Sequence, residues 1–203
     1  PNRAISKHSS VNETHYFEGA ASQCAWKNWE LYTYCSYRFQ DATLTADSLI
    51  STLKTDGYHR TVSEIQKKNN IINTLIGMHL DWNKKDFHIG LTTVWSVFNR
   101  SFKTYPDPTH YKHFYPQGRQ FWNSSVDYSY INYRLTVNGE IAVDGNGGIA
   151  MINSILYRPS STLQIHAVQR YYSKRYNSIF GNAFGEASQV KNENGIYIGA
   201  VYQ

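Results

Sequence analysis

The side chains best suited to acid–base or metal chemistry in this sequence are His79, Asp81 and His88. Asp81 follows His79 by two residues, and His88 comes after a polar segment at 83–86. Imidazole and carboxylate groups brought together in this way could ligate a metal ion or relay a proton. The same groups also form ordinary hydrogen-bonded networks inside proteins, and we favour that interpretation here.

The other motifs that could support chemistry are incomplete. His110 and His113 lie in a segment rich in Pro and aromatic residues, where ordinary loop polarity is the simpler interpretation. Asp144 begins a DGNG segment that offers too few ligands for a calcium loop. None of the patterns GxSxG, GxxxxGK or GxGxxG occurs. We therefore predict no catalytic residue, cofactor or metal, although an enzyme that assembles Ser and His from separate strands stays open as an alternative.

The elements that must position these residues show a period of two. Mostly apolar side chains occupy alternate positions of two neighbouring segments: Thr74, Ile76, Met78, Leu80 and Trp82, then Phe87, Ile89, Leu91, Thr93, Trp95 and Val97. His79, Asp81 and His88 occupy the positions between them. Because successive side chains of a strand point to opposite faces, the pattern predicts a β-hairpin with one apolar and one polar face.

A second segment, 29–40, places its charges in the same way. Glu30 and Arg38 alternate with apolar residues that include Trp29 and Phe39. If the apolar rows face lipid, a charge among them would cost about 2–4 kcal/mol near the bilayer midplane, so we expect the charged positions to face an interior. The predicted interior polar network comprises Glu30, Arg38, His79, Asp81, His88, Arg134, Glu140, His166 and Arg170.

The composition favours a membrane-spanning β-barrel. The chain of 203 residues contains 17 Tyr, 9 Phe and 5 Trp, an aromatic content that barrels use at both membrane interfaces. The mean hydropathy of −0.54 is compatible with strands whose apolar residues alternate with polar ones. We predict that Trp29, Trp82 and Trp95 lie at the interfaces. No run of about 18 apolar residues occurs, so a transmembrane helix is excluded.

Connections of two lengths separate about nine predicted strands. Short turns are expected at 27–28, 83–86, 131–132 and 158–161, and long loops at 41–70, 100–123 and 174–194, with one tight turn at 144–148. Thr61 and Glu64 form a capping-box signal for a short helix in the first long loop. Short turns at one end and long loops at the other are typical of outer-membrane barrels. Because such barrels usually have an even number of strands, further strands are expected.

The net charge and the two cysteines do little to narrow the function. The net charge is +5, but the basic residues are scattered, so direct nucleic-acid binding is not expected. Cys24 and Cys35 fall on consecutive predicted strands, a separation that is compatible with a contact but does not establish a disulfide.

Several phrases of the sequence carry a family resemblance: HSSVNETHYFEGAA, DATLTAD, GYHRTVSEIQKKNN, FWNSSVDYSY, NGEIAVDGNGG, YRPSSTLQIHAVQRYYSKRYNSIFGNAFGEAS and VKNENGIYIGA. Together they resemble the barrel region of Bacteroidetes outer-membrane proteins that have an N-terminal helix-hairpin-helix domain. The resemblance implies a longer parent with a signal peptide, that periplasmic domain and more strands. The helix-hairpin-helix part has no counterpart in these residues, so no DNA-binding role carries over, and the family supplies no catalytic residues.

The sequence thus predicts an all-β fold, an antiparallel transmembrane β-barrel, with 1–203 as a single barrel region of a longer chain. The expected location is the bacterial outer membrane, and the expected function is that of a channel or of an accessory or scaffold component in envelope transport or assembly. Membrane lipid is the predicted partner, with other outer-membrane or periplasmic proteins as further candidates. An outer-membrane enzyme and a soluble antiparallel β domain that binds a ligand stay open as alternatives.

Overall fold

The computed structural model describes residues 16–107, 109–186 and 190–202. The strands in these residues are β1 (Gly19–Trp26), β2 (Trp29–Gln40), β3 (Ala42–Leu44), β4 (Ile50–Leu53), β5 (Ile71–Lys84), β6 (Phe87–Phe102), β7 (Gly118–Ile131), β8 (Leu135–Asp144), β9 (Ile149–Tyr157), β10 (Leu163–Tyr172) and β11 (Glu193–Tyr202). One short helix, α1 (Val62–Ile65), lies between β4 and β5. No helix in the described part of the chain is long and apolar enough to cross a bilayer.

Nine of these strands follow one another in a single sheet, in the order β1-β2-β5-β6-β7-β8-β9-β10-β11. The β3–β4 hairpin lies off this path, and Ile50 of β4 pairs with Phe102 of β6. The predicted all-β fold with an antiparallel sheet is therefore confirmed. The order begins at β1 and ends at β11, and within the described ranges these two strands are not paired, so closure into a barrel stays a prediction.

The chain divides into two compact units. The first contains Tyr32–Met78, Val94–Phe121 and the described residues up to Gln23, and the second contains Cys24–Leu31, His79–Thr93 and the described residues from Trp122 onward. Strands β1, β2, β5, β6 and β7 contribute residues to both units. That residues 1–203 form a single barrel region stays a prediction.

In the first unit, β2 exposes its apolar side chains and buries its polar ones. Tyr37 and Phe39 are each 56% exposed, whereas Arg38 and Gln40 are 5% and 8% exposed. This arrangement is the reverse of a water-soluble sheet, in which the apolar face is the one that packs. In each unit we call the exposed surface the apolar face and the opposite surface the covered face.

The second unit shows the same inversion in β8. Ile141 and Val143 are 45% and 37% exposed, whereas Ala142 and Asp144 are 8% and 3% exposed. Residues paired across antiparallel strands share a face, so the register extends both faces through β7, β9, β10 and β11. The exposed apolar residues of this unit's apolar face include Trp122, Val126, Ile141, Val143, Ile149, Ile155, Tyr157, Ile165, Ile196, Ile198 and Tyr202.

The turns that hold the register follow local side-chain chemistry. Lys27 and Lys85 adopt the left-handed backbone with φ of 52° and 51°, which closes the two-residue turns β1–β2 and β5–β6. In the β8–β9 turn, the carboxylate of Asp144 accepts hydrogen bonds from the backbone N–H groups of Asn146 and Gly148. Such Asx contacts replace ladder hydrogen bonds where a strand reverses.

Several predicted boundaries were wrong. The strand expected from residue 133 begins at Leu135, because the Asn132 side chain accepts from the N–H groups of Arg134 and Leu135 and holds them in a turn. The loop expected at 100–123 spans only 103–117, since β6 and β7 extend into it.

The 41–70 connection is more ordered than the sequence suggested. It contains β3, β4 and α1, and the capping box of Thr61 and Glu64 is present as predicted. A three-residue strand and a four-residue strand are too short for a period of two to stand out in the sequence.

Candidate functional site

The strongest cluster of titratable groups lies in the second unit, on the covered face of β5, β6 and β7. His79 Nε2 lies 2.7 Å from Asp81 Oδ1, and His88 Nε2 lies 2.7 Å from Asp127 Oδ2 and 3.6 Å from Asp81 Oδ1. The structure therefore brings together the three residues named from the sequence and adds Asp127, one strand further along.

Both ring nitrogens of each histidine have a polar neighbour. His79 Nδ1 is 2.7 Å from Thr92 Oγ1, and His88 Nδ1 is 3.0 Å from Asn83 Oδ1. A histidine that ligates a metal must leave one nitrogen for the ion. Within the described ranges no group of three or more His, Cys, Asp or Glu side chains is arranged to hold a metal ion. The hydrogen bonds of His79 with Thr92 and of His88 with Asp127 join β5 to β6 and β6 to β7.

Gly90 makes room for this network. A Cβ atom at Gly90 would lie 2.4 Å from Asp127 Oδ1, so only glycine lets the carboxylate cross β6 and reach His88. The sequence signal was available, because Gly90 interrupts the polar row between His88 and Thr92. What the sequence could not show was which residue of β7 would occupy that space.

A second charged cluster surrounds Arg170 on the covered face of β10. Arg170 is 7% exposed; its Nε donates to Glu193 Oε1, and its NH2 group donates to Glu186 Oε1 at 2.8 Å. Glu193 begins β11 and Glu186 lies in the preceding loop. A buried guanidinium is tolerated when carboxylates compensate its charge, so the pairing explains how Arg170 can be buried.

The connection between β10 and β11 packs onto the covered face of the second unit. Tyr176 joins Ala142, Ala150 and Tyr172 in a buried cluster. The Asp144 carboxylate accepts a hydrogen bond of 2.7 Å from the Asn177 N–H. This end of the covered face is thus filled by the chain's own residues.

Lys191 lies in that connection, and its surroundings shift the pKa of its side chain strongly. Its Nζ donates to Asn177 Oδ1 at 2.7 Å. Burial lowers the pKa of the Lys191 ammonium from its ordinary 10.5 to about 8, and the nearby Asp144 carboxylate opposes this shift. The packed connection therefore carries a cation whose charge is costly at neutral pH.

The other predicted network residues belong to β2, β8 and β10 and to the turn before β8. Arg38 is buried in the first unit, where it donates to the Tyr16 carbonyl. Glu30 and His166 are half-buried. Arg134 is exposed in the turn before β8, and Glu140 is exposed on the covered face. Arg38 thus belongs to the first unit and the His79–Asp81–His88 and Arg170 clusters to the second, and whether the nine residues form one interior network stays a prediction.

The predicted interface aromatics occupy two places. Trp29 stacks on Trp26 with ring centroids 6.5 Å apart, and it contacts Trp82 at the same separation. These rings lie beside the short turns in the second unit, where Phe87 also contacts Tyr130 at 4.7 Å. Trp95 belongs to the first unit and is 45% exposed.

A polar row crosses the middle of the apolar face in the second unit, and the sequence did not reveal it. Tyr128 Oη donates to Asn153 Oδ1 at 2.7 Å, and Asn153 Nδ2 donates to Gln169 Oε1 at 2.6 Å. Gly139 lies between Tyr128 and Asn153 in the register, and a Cβ there would come within 2.5 Å of the Tyr128 ring. The amide of Asn153 thereby uses both its oxygen and its nitrogen within the sheet.

Comparison with protein-family models, with curated proteins and with solved structures finds no match for this chain. The resemblance to Bacteroidetes outer-membrane barrels therefore stays a prediction from the sequence.

Proposed function

We propose that this chain is an integral protein of the bacterial outer membrane that serves, without catalysis, as a scaffold or accessory barrel in envelope transport or assembly. The single observation that supports this most is the inversion of its faces. Ile141 and Tyr37 are exposed on the apolar faces of their units while Asp144 and Arg38 are buried on the covered faces. Lipid is the solvent for which that arrangement is favourable.

Water would be a poor solvent for the apolar faces. A monomeric soluble protein rarely exposes a contiguous apolar patch of more than a few hundred Å². Here several exposed apolar residues share this face of β8 and β9, among them Ile141, Val143, Ile149 and Ile155. Membrane lipid is therefore the proposed partner of this surface.

The covered face favours a filled interior over a wide pore. The β10–β11 connection packs onto it through Tyr176, and Arg170 is paired with Glu193. Buried ion pairs and packed aromatic rings leave less space for a continuous water column than a channel needs. A scaffold or accessory role is for this reason favoured over conduction.

Closure and orientation complete the proposal. We expect further strands, as the even strand number of outer-membrane barrels implies, to pair with the edges β1 and β11 in the membrane, since an open sheet edge cannot face lipid. The short turns, beside Trp29 and Trp82, are expected to face the periplasm and the long connections the outside of the cell. Other outer-membrane or periplasmic proteins are the expected protein partners.

Labelling of a native thiol tests the lipid contact. Cys35 is a free, exposed cysteine on the apolar face of β2. In a Cys24→Ser background in proteoliposomes, Cys35 is expected to react slowly with a membrane-impermeant maleimide and quickly after detergent is added. Asp86→Cys, at an exposed turn in a Cys24→Ser, Cys35→Ser background, is the control and is expected to react without detergent wherever the reagent reaches it.

The outcomes separate the alternatives. Fast labelling of Cys35 in proteoliposomes, together with recovery of the protein in the aqueous fraction, would replace the membrane proposal with a soluble β domain. Slow labelling of Cys35 combined with steady conductance in planar bilayers would replace the scaffold role with a channel.

A further inference from the structure

Four short turns of the second unit lie side by side. They join β1 to β2, β5 to β6, β7 to β8 and β9 to β10, at 27–28, 85–86, 132–134 and 158–162. Backbone hydrogen bonds of 2.7–2.9 Å link each turn to the next turn or to the strand end beside it: Asn83 to Asn28, Ile131 to Asp86 and Arg158 to Arg134. We call the four turns, together with Lys84 at the end of β5, the turn rim.

The turn rim carries an excess of positive charge. Asp86 is its one carboxylate, and its cations are Lys27, Lys84, Lys85, Arg134 and Arg158. Arg158 is half-buried, and the other four cations are exposed. Among the described residues the ion pairs are those of Lys54, His59, His79, His88 and Arg170, so none of them neutralises a rim cation. Five cations and one carboxylate leave four positive charges in excess.

Carboxylates further along the strands do not remove this excess. Glu30, Asp81 and Asp127 are the next ones from the turns, and they belong to the covered face. Asp81 and Asp127 lie 2.7 Å from histidine rings there, and their side chains are 14% and 28% exposed. Even if all three are counted, the five cations outnumber the four carboxylates. The exposed part of this end of the unit is therefore cationic.

The opposite end of the second unit is nearly balanced in charge. Its cations are Arg170, Lys174, Arg175 and Lys191, and its carboxylates are Asp144, Glu186 and Glu193. Two of these carboxylates pair with Arg170. One positive charge in excess at this end, against four at the turn rim, shows that the positive charge of the unit is concentrated at the rim.

Indole rings lie directly beside the rim cations. Trp26 immediately precedes Lys27, and Trp82 lies two residues before Lys84. Trp29 is within 6.5 Å of both rings, and Trp26 and Trp29 are 45% and 38% exposed. Indoles favour the headgroup level of a bilayer, where long basic side chains can reach phosphate groups. An acidic protein surface would match the charges equally well, but it would not call for exposed indoles beside them.

We propose that the turn rim binds the phosphate headgroups of anionic phospholipids. The inference rests on the proposed membrane location, and it names the lipid class selected at one end of the second unit. A lysine or arginine close to an anionic membrane surface gains about 1 kcal/mol, which corresponds to about a fivefold preference for anionic over zwitterionic lipid at one contact.

Quenching of tryptophan fluorescence by brominated lipids measures this preference. In a Trp95→Phe, Trp122→Phe background, the tryptophans that remain are the three beside the turn rim. The protein is placed in vesicles of mixed phosphatidylcholine and phosphatidylglycerol, with one or the other lipid brominated. Phosphatidylglycerol is expected to associate about fivefold more strongly than phosphatidylcholine at low salt. The preference should fall in about 1 M salt, where charges are screened within about 3 Å.

Two triple variants locate the contact. The rim variant replaces exposed lysines of the turn rim: Lys27→Gln, Lys84→Gln and Lys85→Gln. The control variant removes the same charge from the first unit: Lys67→Gln, Lys68→Gln and Lys103→Gln. The preference for phosphatidylglycerol is expected to fall below about twofold in the rim variant and to stay near fivefold in the control variant. Arginine at the three rim positions should retain the preference, and equal losses in the two glutamine variants would refute the rim as the site.

The outcomes also separate this inference from the proposed membrane location. Equal association of the two lipids would overturn the inference and leave an acidic protein as the alternative partner of the rim, while quenching by either brominated lipid would still show lipid contact. Fast labelling of Cys35 in proteoliposomes, together with selective quenching by phosphatidylglycerol, would mean that the rim attaches a peripheral chain to an anionic membrane surface. In that case only the membrane-spanning proposal fails. Absence of quenching by both lipids would refute both ideas.

Discussion

Replacement of Ile141 by arginine tests whether lipid covers the apolar face of the second unit. Ile141 is 45% exposed and lies two residues from Gly139, near the middle of β8. The two residues from Gly139 to Ile141 span about 7 Å along the strand. At a strand tilt of about 45°, this separates the two residues by about 5 Å in membrane depth. Because the cost of arginine falls from about 2–4 kcal/mol at the midplane toward about 0–1 near the interfaces, Ile141→Arg is expected to destabilise the folded state by about 2 kcal/mol. At about 1.4 kcal/mol per factor of ten, this is about a 30-fold change in the folding equilibrium.

Reversible unfolding in urea, with the protein in lipid vesicles, measures this cost. The control is Asn138→Arg, at an exposed position on the opposite face of the same strand, which is expected to change the free energy of unfolding by less than about 0.5 kcal/mol. Equal small effects of the two substitutions would contradict the lipid contact, since a water-exposed position of a sheet accepts arginine at little cost whether it replaces isoleucine or asparagine.

Three further changes probe the packing of the second unit. Tyr128→Phe removes the donor to Asn153 and is expected to cost about 1–3 kcal/mol in vesicles, by the same urea assay; no loss would show that water reaches Asn153. Gly148→Ala places a Cβ 2.4 Å from the Tyr176 Cα, and thermal unfolding should show a loss of about 1–3 kcal/mol; an unchanged transition would mean that the connection does not pack there. Lys191→Met removes a titrating group. The pKa of Lys191 is about 8 in the folded chain and ordinarily 10.5, so as the pH rises the folded chain releases this proton before the unfolded chain does. The free energy of unfolding of the unmodified protein, relative to that of the variant, should therefore rise between pH 8 and 10.5 and be constant below pH 8. A parallel pH dependence of the two proteins would contradict the buried ammonium.

The strands were predictable because their pattern is local. In β2, the period of two places Tyr37 and Phe39 on one face and Arg38 and Gln40 on the other, and the structure exposes and buries them accordingly. Polar segments indicated the positions of the short turns, although the turn expected at 83–86 contains only Lys85 and Asp86 because β5 extends to Lys84. Alternation needs no knowledge of the neighbouring strand, which is why nine strands could be counted from the sequence.

Pairings between distant residues were beyond the sequence. His79, Asp81 and His88 could be assigned to one face, but Asp127 joins them only because the register of β6 and β7 aligns it with the space at Gly90. Both partners of Arg170, Glu193 and Glu186, lie within 174–194, which was expected to be a loop without a period. The direction of a side chain is set by its own strand, whereas its partner is set by register and loop packing.

The polar row in the second unit bears on which solvent covers the apolar face. An amide exposed to water can hydrogen-bond to the solvent, so nothing requires Asn153 to bond with both Tyr128 and Gln169. In hydrocarbon each unsatisfied polar group costs several kcal/mol, so a row that crosses an apolar face must bond within itself. The contacts of 2.7 and 2.6 Å satisfy both ends of the Asn153 amide. A protein partner with an apolar surface would impose the same requirement, but only across the area it covers, whereas exposed apolar side chains continue from Val126 on β7 to Ile198 on β11. The proposed lipid contact would cover a surface of that extent, whereas one docked protein would cover only a part of it.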